Sequence, residues 1–544
     1  MGRKKNWLFL QRMIVIRTFS IKTLFTLLIC SLFFSCSREE QTSWDIDVLA
    51  PLAETRLTVE NLIADSLIAS AAGEPILIRY ESRFNLIPND SLYYIPDTSF
   101  SSSFSLPFSI NLPAGFEVVD LSQIVRFNYK DVQLSEAIIE SGIANFKIFN
   151  TVSDKVYIDY SIPNASILGQ SLAINNVEIA AGSNQTPSIL ERNINLNGYL
   201  LNLRGDLGNL SNQFRVNLNA KLNPDGNGAT TFANLPLLTY QYNFKNIRPY
   251  FVRGYLGRSN FTGNDFLSIS EMKKLSGIIH FQDITLNLEI ENSIGADFSL
   301  NINNILASRD GSQLQLIHPI VGNTQQLSRA KNIPQGDLPY TATYKNYNFN
   351  SSNSNIKELI ETLPDRLSFE ANASLNPLGN VSSGNDFLYK NSNVRVKTTL
   401  EMPLSFSANA LTFTDTLTTL GIESTSTENI LAGDLQILAT NSFPFDLSVK
   451  GYLLDENKVL IDSLLSNQTI LAATVNDLLR VAQSKQTTLK VPVSESLKLH
   501  LSQARFIVIK AKINTQPENT ILPMYADYEL HLQLIGNGKY RVKI

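Results

Sequence analysis

A pattern of two strands joined by an asparagine turn occurs three times along this chain, and it restricts the fold more than any other feature. The turns begin at Asn150, Asn292 and Asn441, and the sixth and eighth residues after each asparagine are apolar. Alternating apolar residues also precede each turn. Alternation, a polar turn and renewed alternation predict a β-hairpin with one buried face.

A second asparagine follows each turn at a nearly constant distance. The pairs are 150 and 223, 292 and 376, and 441 and 514, which are separations of 73, 84 and 73 residues. Pro224 and Pro377 follow two of these second asparagines, and proline is typical of a strand end because it cannot donate to a sheet. The paired recurrence predicts a threefold tandem module.

The repeat predicts an all-β, multi-domain fold made of tandem immunoglobulin-like β-sandwich modules with a few short helices. Residues 356–363 have apolar side chains at helical spacing before Pro364, and residues 471–481 are a second helix candidate. Near the C-terminus, Asn537-Gly538 between alternating runs predicts a hairpin and a paired final strand. The predicted boundaries are a leader at 1–35, a tether at 36–43, an N-terminal β-rich domain at 44–135, and modules at 136–275, 276–425 and 426–544.

The N-terminus is typical of an exported protein. Residues 1–35 contain basic but no acidic side chains, and the apolar stretch from 23 to 34 is too short to span a bilayer. Ser35-Cys36 directly after that stretch resembles the lipobox of bacterial lipoprotein signal peptides. The resemblance implies cleavage before Cys36 and acylation of its thiol and amine. Cys36 is also the only cysteine after residue 35, so no disulfide forms within the mature chain. Either Met1 or Met13 is the first residue at which translation starts, and the sequence leaves both alternatives open.

Two further resemblances concern location and family. Ser37-Arg38-Glu39-Glu40 is similar to the export signal that carries Bacteroidota lipoproteins to the outer face of the outer membrane, and a plain polar tether is the alternative. The opening at 44–63 resembles a group of large Bacteroidota lipoproteins of undescribed function. The turn at 441–445, Asn-Ser-Phe-Pro-Phe, resembles the Asn-x-x-Pro-Phe turn of late-embryogenesis-abundant-type immunoglobulin-like sandwiches. These resemblances imply a lipid-anchored protein facing the cell exterior, and they bring no catalytic residues.

The chemistry-bearing residues do not form a catalytic or metal-binding motif. His280, His318, His500 and His531 lie far apart, acylation would consume the thiol of Cys36, and no nucleophile elbow or phosphate loop is present in the mature chain. We therefore predict no enzyme activity, no cofactor and no metal, although a pair of carboxylates brought together by folding stays open. The segment 223–228, a weak calcium-loop candidate, is explained by turn chemistry.

The composition limits which kinds of binding partner are expected. The formal net charge is −4 with no basic run, so the sequence predicts no nucleic-acid partner. Only Trp44 remains after the leader, which makes a sugar-stacking surface less expected than a protein-binding one. Four Asp-Ser/Thr-Leu triplets resemble the acceptor motif of Bacteroidota O-glycosylation, with acceptors Ser66, Ser91, Thr416 and Ser463.

The sequence predicts a non-catalytic outer-membrane lipoprotein that acts as an interaction or accessory subunit. Its partners are the outer membrane, through the acyl chains, and an outer-membrane protein of a barrel assembly, secretion or import complex. The alternatives are a surface glycan-binding lipoprotein of a polysaccharide-utilisation system, a lipid-binding β protein and, last, a hydrolase.

Overall fold

The computed structural model describes residues 43–59, 67–70, 73–88, 95–334, 339–418 and 430–543. Within these ranges the chain forms 35 strands, two α-helices and one 3₁₀ turn. None of the helices in those ranges is long and apolar enough to cross a membrane. The predicted all-β, multi-domain fold with few short helices is confirmed.

The strands are numbered in chain order. Five precede residue 130: β1 (Ser43–Thr58), β2 (Leu77–Asn85), β3 (Thr98–Ser105), β4 (Asn111–Leu112) and β5 (Glu117–Arg126). Eight follow up to residue 255: β6 (Gln133–Asn150), β7 (Val156–Ile167), β8 (Gln170–Ile179), β9 (Ser188–Asn195), β10 (Leu200–Asn202), β11 (Gln213–Leu222), β12 (Ala229–Thr230) and β13 (Pro236–Tyr255).

The remaining elements continue to the C-terminus. From 259 to 403 they are β14 (Ser259–Ser268), the 3₁₀ turn (Ser270–Lys274), β15 (Leu275–Phe281), β16 (Thr285–Asn292), β17 (Phe298–Arg309), β18 (Ser312–Gln315), β19 (Thr324–Leu327), β20 (Lys331–Asn332), β21 (Tyr340–Thr341), β22 (Thr343–Phe349), α1 (Ile356–Glu361), β23 (Arg366–Leu375), β24 (Asp386–Tyr389) and β25 (Val394–Pro403). After residue 404 they are β26 (Ser405–Thr418), β27 (Ile430–Asn441), β28 (Phe445–Leu454), β29 (Leu460–Ile470), β30 (Thr474–Val475), β31 (Val481–Gln483), β32 (Lys485–Pro492), α2 (Glu495–Gln503), β33 (Phe506–Thr515), β34 (Leu522–Pro523) and β35 (Glu529–Lys543).

The long strands form three β-sandwiches, each built from two sheets, A and B, with the same strand order. Sheet A runs β3-β13-β6-β9 in the first sandwich, β2-β25-β16-β22 in the second and β1-β35-β27-β32 in the third. Sheet B runs β5-β11-β7-β8, β14-β23-β17-β18 and β26-β33-β28-β29. In the first sandwich β10 pairs with both β6 and β7 and so joins the two sheets.

Strand register agrees with the internal alignment of the asparagines. The residue six places after the first asparagine pairs with the residue just before the second one: Val156 with Leu222, Phe298 with Leu375 and Leu447 with Ile513. The three asparagine turns therefore occupy equivalent places in the three sandwiches. The predicted hairpins are wrong, because the strands before and after each turn do not pair: each turn connects sheet A to sheet B of its sandwich. Two strands that each have one buried face alternate in the same way whether they pair or face each other in opposite sheets.

The segment predicted as an N-terminal domain, 44–135, is divided among the sandwiches. β1 pairs with β35 of the third sandwich, β2 with β25 of the second, and β3 and β5 with β13 and β11 of the first. β14 and β26 likewise belong to the sandwich after the one to which the predicted boundaries assign them. Local sequence patterns indicate strands but do not name their partners, and these partners lie far away along the chain.

The first asparagine of each module holds its turn by three hydrogen bonds. Its Nδ2 donates to the carbonyl four residues later, at 3.0, 3.2 and 3.1 Å, and to a carbonyl at position 180, 328 or 471, at 2.8, 2.9 and 2.9 Å. Its Oδ1 accepts from the amide two residues later at 3.0, 2.9 and 2.9 Å. Asn150, Asn292 and Asn441 are at most 1% exposed. An amide side chain is needed here because the site offers two acceptors and one donor.

The apolar core continues through all three sandwiches. In the first, Phe146 of sheet A stacks on Tyr160 of sheet B with ring centroids 4.6 Å apart. One cluster of buried side chains extends from Leu218 of the first sandwich through Leu288 of the second to Leu530 of the third. The sandwiches are therefore packed against one another and are not separated by linkers.

Of the other local predictions, two are wrong and two are confirmed. The helix ending before Pro364 is present as α1. Residues 471–481 form no helix but contain β30, a turn and the start of β31. Asn537-Gly538 is not a turn: it lies inside β35, which pairs with β1 on one side and β27 on the other. Glycine fits there because a Cβ on Gly538 would lie 2.4 Å from the carbonyl oxygen of Ala432. The final strand is paired, as predicted.

Candidate functional site

Each sandwich has two different ends, which we name the Asn-turn end, where the asparagine turn lies, and the far end. The Asn-turn end of the second sandwich packs on the far end of the first through β24, which pairs with residues 251–254 of β13. Phe387 and Tyr389 of β24 are 5% and 6% exposed and lie against Phe251. A buried carboxylate, Asp386, accepts hydrogen bonds at this joint from the Leu256 amide, the Asn376 side chain and Arg329.

The third sandwich is joined to the second in the same way. Its short strand β34 occupies the loop equivalent to that of β24, and it pairs with the start of β26, directly after the last strand of the second sandwich. Leu522 and Met524 are 0% and 1% exposed there, and Met524 exchanges backbone hydrogen bonds with Leu404 and Ile76. In both joints an Asn-turn end is thus covered by the far end of the preceding sandwich.

The Asn-turn end of the first sandwich has no preceding sandwich within the described residues. Its equivalent short strand, β12, pairs with β4 of the N-terminal segment. The ladder continues beyond these strands, since the Thr231 amide donates to the Ile110 carbonyl at 2.8 Å and the Asn234 amide to that of Leu106 at 2.7 Å. The loops on both sides of this ladder form an ordered surface at the end of the array.

This surface is apolar and exposed, and we call it the tip. Its large apolar side chains come from residues 108–116 and 232–235 and are Phe108 (54% exposed), Ile110 (44%), Phe116 (36%), Phe232 (58%) and Leu235 (40%). In the equivalent loops of the other two sandwiches, the side chains of the short strands are buried at the joints, whereas Leu378 and Val381 of the second sandwich stay 83% and 60% exposed. The tip is thus the one Asn-turn end, among the described residues, that another β-domain does not cover.

The second sandwich carries a different candidate surface on the outward side of its sheet A. Two neighbouring concavities of about 510 and 450 Å³ lie there. Their lining is mainly polar and includes Arg79, Glu81, Asn287, Glu289, Lys397 and Glu401.

The charges on this face largely neutralise one another. Arg79 pairs with Glu401 at 2.6 Å and Arg395 with Glu291 at 2.9 Å, each across neighbouring strands. Opposite charges on facing cross-strand positions stabilise the sheet by a few tenths of a kcal/mol to about 1 kcal/mol per pair. Because these charged side chains already pair with one another, the face suits polar, uncharged ligand groups more than a strongly charged ligand. An exposed tyrosine, Tyr344, lies at the edge of the face.

The histidines do not meet. His280 lies 3.3 Å from Glu361, His500 lies 2.8 Å from Asp462, and the His531 ring lies 2.6 Å from Glu54, in three separate places. The hydrogen bond with His500, together with the Ser463 amide, lowers the pKa of Asp462. Within the described ranges, no three His, Cys, Asp or Glu side chains are grouped so that they could hold a metal ion.

Most site residues predicted from the sequence lie outside the described residues. These are Cys36, the signal Ser37-Arg38-Glu39-Glu40, and the acceptors Ser66 and Ser91. Thr416 lies in β26, opposite Val508. Ser463 is exposed on β29, where its hydroxyl contacts the carbonyls of Gly451 and Leu465 at 3.5 and 3.3 Å. Acylation, surface export and O-glycosylation stay predictions.

The loop 223–228 contains a turn in which Asn223 accepts a hydrogen bond from the Asp225 amide at 3.1 Å. Nearby, the Gly228 amide donates to Asp154 at 3.0 Å. The carboxylate of Asp154 is therefore used by the loop backbone. These contacts are the turn chemistry expected from the sequence.

Comparison with known proteins gives no family. No protein-family model matches the chain, and no curated protein matches it in sequence. Among solved structures, a protein of Parabacteroides distasonis described as secreted is 16% identical, with a TM-score of 0.27, over 52% of this chain and 83% of that one. The infectious bursal disease virus Gx strain (8% identity, TM-score 0.13) is aligned over 90% of this chain and 87% of that one. The tandem CBM22 domains of Paenibacillus barcinonensis Xyn10C (8%, 0.12) are aligned over 53% and 98%. Likenesses with such low TM-scores do not establish a shared architecture.

Proposed function

We propose that this protein is a non-catalytic outer-membrane lipoprotein, acylated at Cys36 and displayed on the cell surface, that docks onto an outer-membrane protein through its tip. The exposed tip is the observation that carries the proposal. Large apolar patches are rare on monomeric soluble surfaces and mark interaction sites. Phe108 and Phe232 are more than half exposed although each could bury a large apolar area.

The internal joints indicate what kind of partner the tip accepts. In the second and third sandwiches the equivalent loop is covered by a β-domain that offers a strand for pairing and apolar side chains beside it. At the tip, β4 already pairs with the equivalent strand β12, so a β-structured partner is expected to contact the apolar side chains beside that ladder. An outer-membrane complex for barrel assembly, secretion or import supplies such a partner.

The position of the anchor supports this orientation. Ser43 pairs with Lys543 at the far end of the third sandwich, and each joint connects an Asn-turn end to a far end. The tip and the chain entry are therefore at opposite ends of the array. Ser43 is seven residues after Cys36, a length of chain that spans at most about 25 Å. An acyl anchor at Cys36 would hold the third sandwich near the bilayer and present the tip away from it.

A pull-down from outer membranes in mild detergent tests the docking. The tagged protein is expected to bring down one outer-membrane protein in stoichiometric amount, and the double variant I110S/F232S is expected to lose it. The matched control is Leu207→Ser, which removes an 83% exposed apolar side chain away from the tip. Equal recovery with all three proteins would refute docking through the tip.

Acylation has its own test. Mass spectrometry of the N-terminal peptide from cell-derived protein is expected to show a diacylglyceryl-modified Cys36 at the N-terminus. Cys36→Ala is expected to leave the leader uncleaved and the protein unacylated. An unmodified Cys36 peptide, or a mature N-terminus elsewhere, would contradict the anchor.

A second candidate function is glycan binding by the outward face of sheet A in the second sandwich. The two polar concavities there favour it over lipid carriage, because their lining is mainly charged and amide groups. A glycan array with the mature protein would detect it. Arg79→Ala and Tyr344→Ala are then expected to lower the signal, whereas I110S/F232S is expected to leave it unchanged.

A further inference from the structure

The apolar inner face of sheet A in the third sandwich continues beyond the body of the sandwich. β1 and β35 stay paired to their ends, where Ser43 lies opposite Lys543. The neighbouring strand β27 is described from Ile430, which pairs with Tyr540 of β35. Among the described residues, 43–47 and 539–543 thus extend beyond β32, which ends at Pro492, and form the edge of the sheet at this end, which we call the ribbon.

Both faces of β1 within the ribbon are exposed to solvent. A strand covered on one side alternates between buried and exposed positions, but residues 43–47 are all exposed. Trp44 and Ile46 are 48% and 40% exposed. Trp44 lies opposite Val542, which is on the same face of β35 as Leu530, a core residue 6% exposed, and Ile46 follows Trp44 on that face of β1. Trp44 and Ile46 therefore continue the core face of the sandwich into solvent.

The other face of the ribbon is charged. The Arg541 guanidinium donates two hydrogen bonds to the Asp45 carboxylate, at 2.9 and 3.2 Å. Asp47 lies opposite Lys539 on the same face. The ribbon is thus amphipathic, and its opposite charges offset one another.

Other apolar side chains lie at the same end of the third sandwich. The turn between β28 and β29 is at the far end, and there Val459 and Leu460 are 59% and 58% exposed. The chain enters at this end, seven residues after Cys36, a length of chain that reaches at most about 25 Å. An acyl group at Cys36 would keep this end within that distance of a lipid surface.

We propose that the ribbon is a membrane-contact element, and that Trp44 and Ile46 insert into the boundary between headgroups and acyl chains of the bilayer that holds the anchor. Tryptophan is enriched at that depth, because its ring is apolar and its N–H needs a polar partner. The paired charges on the opposite face stay in water. The contact rests on the acylation of Cys36 proposed above, and it would fix the array upright instead of leaving it free on a tether.

Intrinsic fluorescence tests the contact directly, because Trp44 is the only tryptophan after residue 35. The probe is a vesicle of phosphatidylethanolamine and phosphatidylglycerol, and the protein is the whole mature chain, 36–544, with Cys36→Ser to remove acylation. The emission maximum is expected to move to shorter wavelength when vesicles are added. Brominated acyl chains are expected to quench it, and acrylamide quenching is expected to fall. Raising the salt concentration should change little, since the ribbon's charges are paired.

Variants locate the contact. W44S/I46S is expected to lower the vesicle-bound fraction in sedimentation by about tenfold or more, the scale of removing large buried apolar side chains. The control I110S/F232S, at the other end of the array, is expected to bind vesicles as the parent does. Circular dichroism shows whether each variant is folded, and the Trp44 emission of the parent gives an answer that needs no variant.

Three outcomes would overturn the proposal. Trp44 emission that does not respond to vesicles would show that the ribbon stays in water. Vesicle binding without a Trp44 response would place the contact elsewhere. Trp44 shielded from acrylamide before vesicles are added would show that protein covers it. Failure of acylation is seen separately, in the mass of the Cys36 peptide.

Discussion

Replacing the first asparagine of a module by alanine tests why these turns carry asparagine. In Asn292→Ala the carbonyls of Ala296 and Ser328 lose a donor, and the Ile294 amide loses its acceptor, at a site where residue 292 is 1% exposed. An unsatisfied buried polar group costs about 1–3 kcal/mol, and a carbonyl can be partly satisfied otherwise. We expect the free energy of unfolding to fall by about 3 kcal/mol, from about 1 kcal/mol for each lost bond.

The assay is urea denaturation followed by far-UV circular dichroism, with linear extrapolation to water. The repeat provides internal replicates, because Asn150→Ala and Asn441→Ala remove equivalent bonds and are expected to cost similar amounts. The matched control is Asn346→Ala, at an exposed strand position, with an expected change below about 0.5 kcal/mol. Losses below about 1 kcal/mol in all three buried variants would refute the reasoning, since one buried group left unsatisfied costs at least that much.

Three further predictions concern single residues. Asp386→Ala removes the acceptor of the Leu256 amide and one acceptor each of Asn376 and Arg329, which keep the Gly257 carbonyl and Asp297, and should lower the urea midpoint by an amount equivalent to about 1–3 kcal/mol; an unchanged midpoint would contradict a buried role. Gly538→Ala places a Cβ 2.4 Å from the Ala432 carbonyl and should cost about 1–3 kcal/mol in the same assay; a neutral change would show that β35 shifts freely. The pKa of Asp462 is lowered by its hydrogen bond with His500. The stability that the Asp462 carboxylate contributes is therefore fully present at a pH above the ordinary pKa of aspartate, and it is lost as the pH falls through the lowered pKa of the folded protein. Asp462→Asn should therefore be less stable than the parent at about pH 5, with the difference shrinking by about pH 2; a constant difference would contradict the linkage.

The asparagine turns and the threefold repeat could be predicted from sequence because their signals are local, whereas the hairpin pairing was wrong, because the strands on either side of each turn belong to facing sheets. A strand with one buried face alternates in polarity. Asn150, Asn292 and Asn441 each make the same three hydrogen bonds in their turns. Because this turn geometry needs an asparagine side chain, asparagine recurs at the same position in each module. The second asparagines occupy equivalent positions in the strand register but make different hydrogen bonds. The Asn376 side chain donates to Asp386, whereas the Asn514 side chain accepts from the Ala410 amide.

The division of the N-terminal segment could not be predicted, because strand pairing over long separations leaves no local mark. β1 pairs with β35, a strand at the other end of the sequence. The alternation of polarity along β1 indicates only that one of its faces is apolar and does not indicate which strand it pairs with. Asn537-Gly538 shows the same limit, since the local turn preference is overridden by partners on both sides of β35. A close approach to Ala432 explains the glycine equally well.

The tip was also missed, for a different reason. Phe108 and Ile110 look like ordinary strand residues in the sequence, where apolar side chains predict burial. Only the packing of the other two sandwiches shows that their short strands β24 and β34 are covered by a preceding sandwich and that β12 is not. A patch of this kind becomes visible when exposure is compared among repeats.

Site-specific photo-crosslinking in intact cells tests the central claim most directly. A photoreactive residue at Phe232, in the tip, is expected to crosslink to one outer-membrane protein, and the same residue at Leu207, an exposed position away from the tip, is expected to give no such product. Crosslinking to that protein from Leu207 but not from Phe232, or from neither position, would contradict docking through the tip.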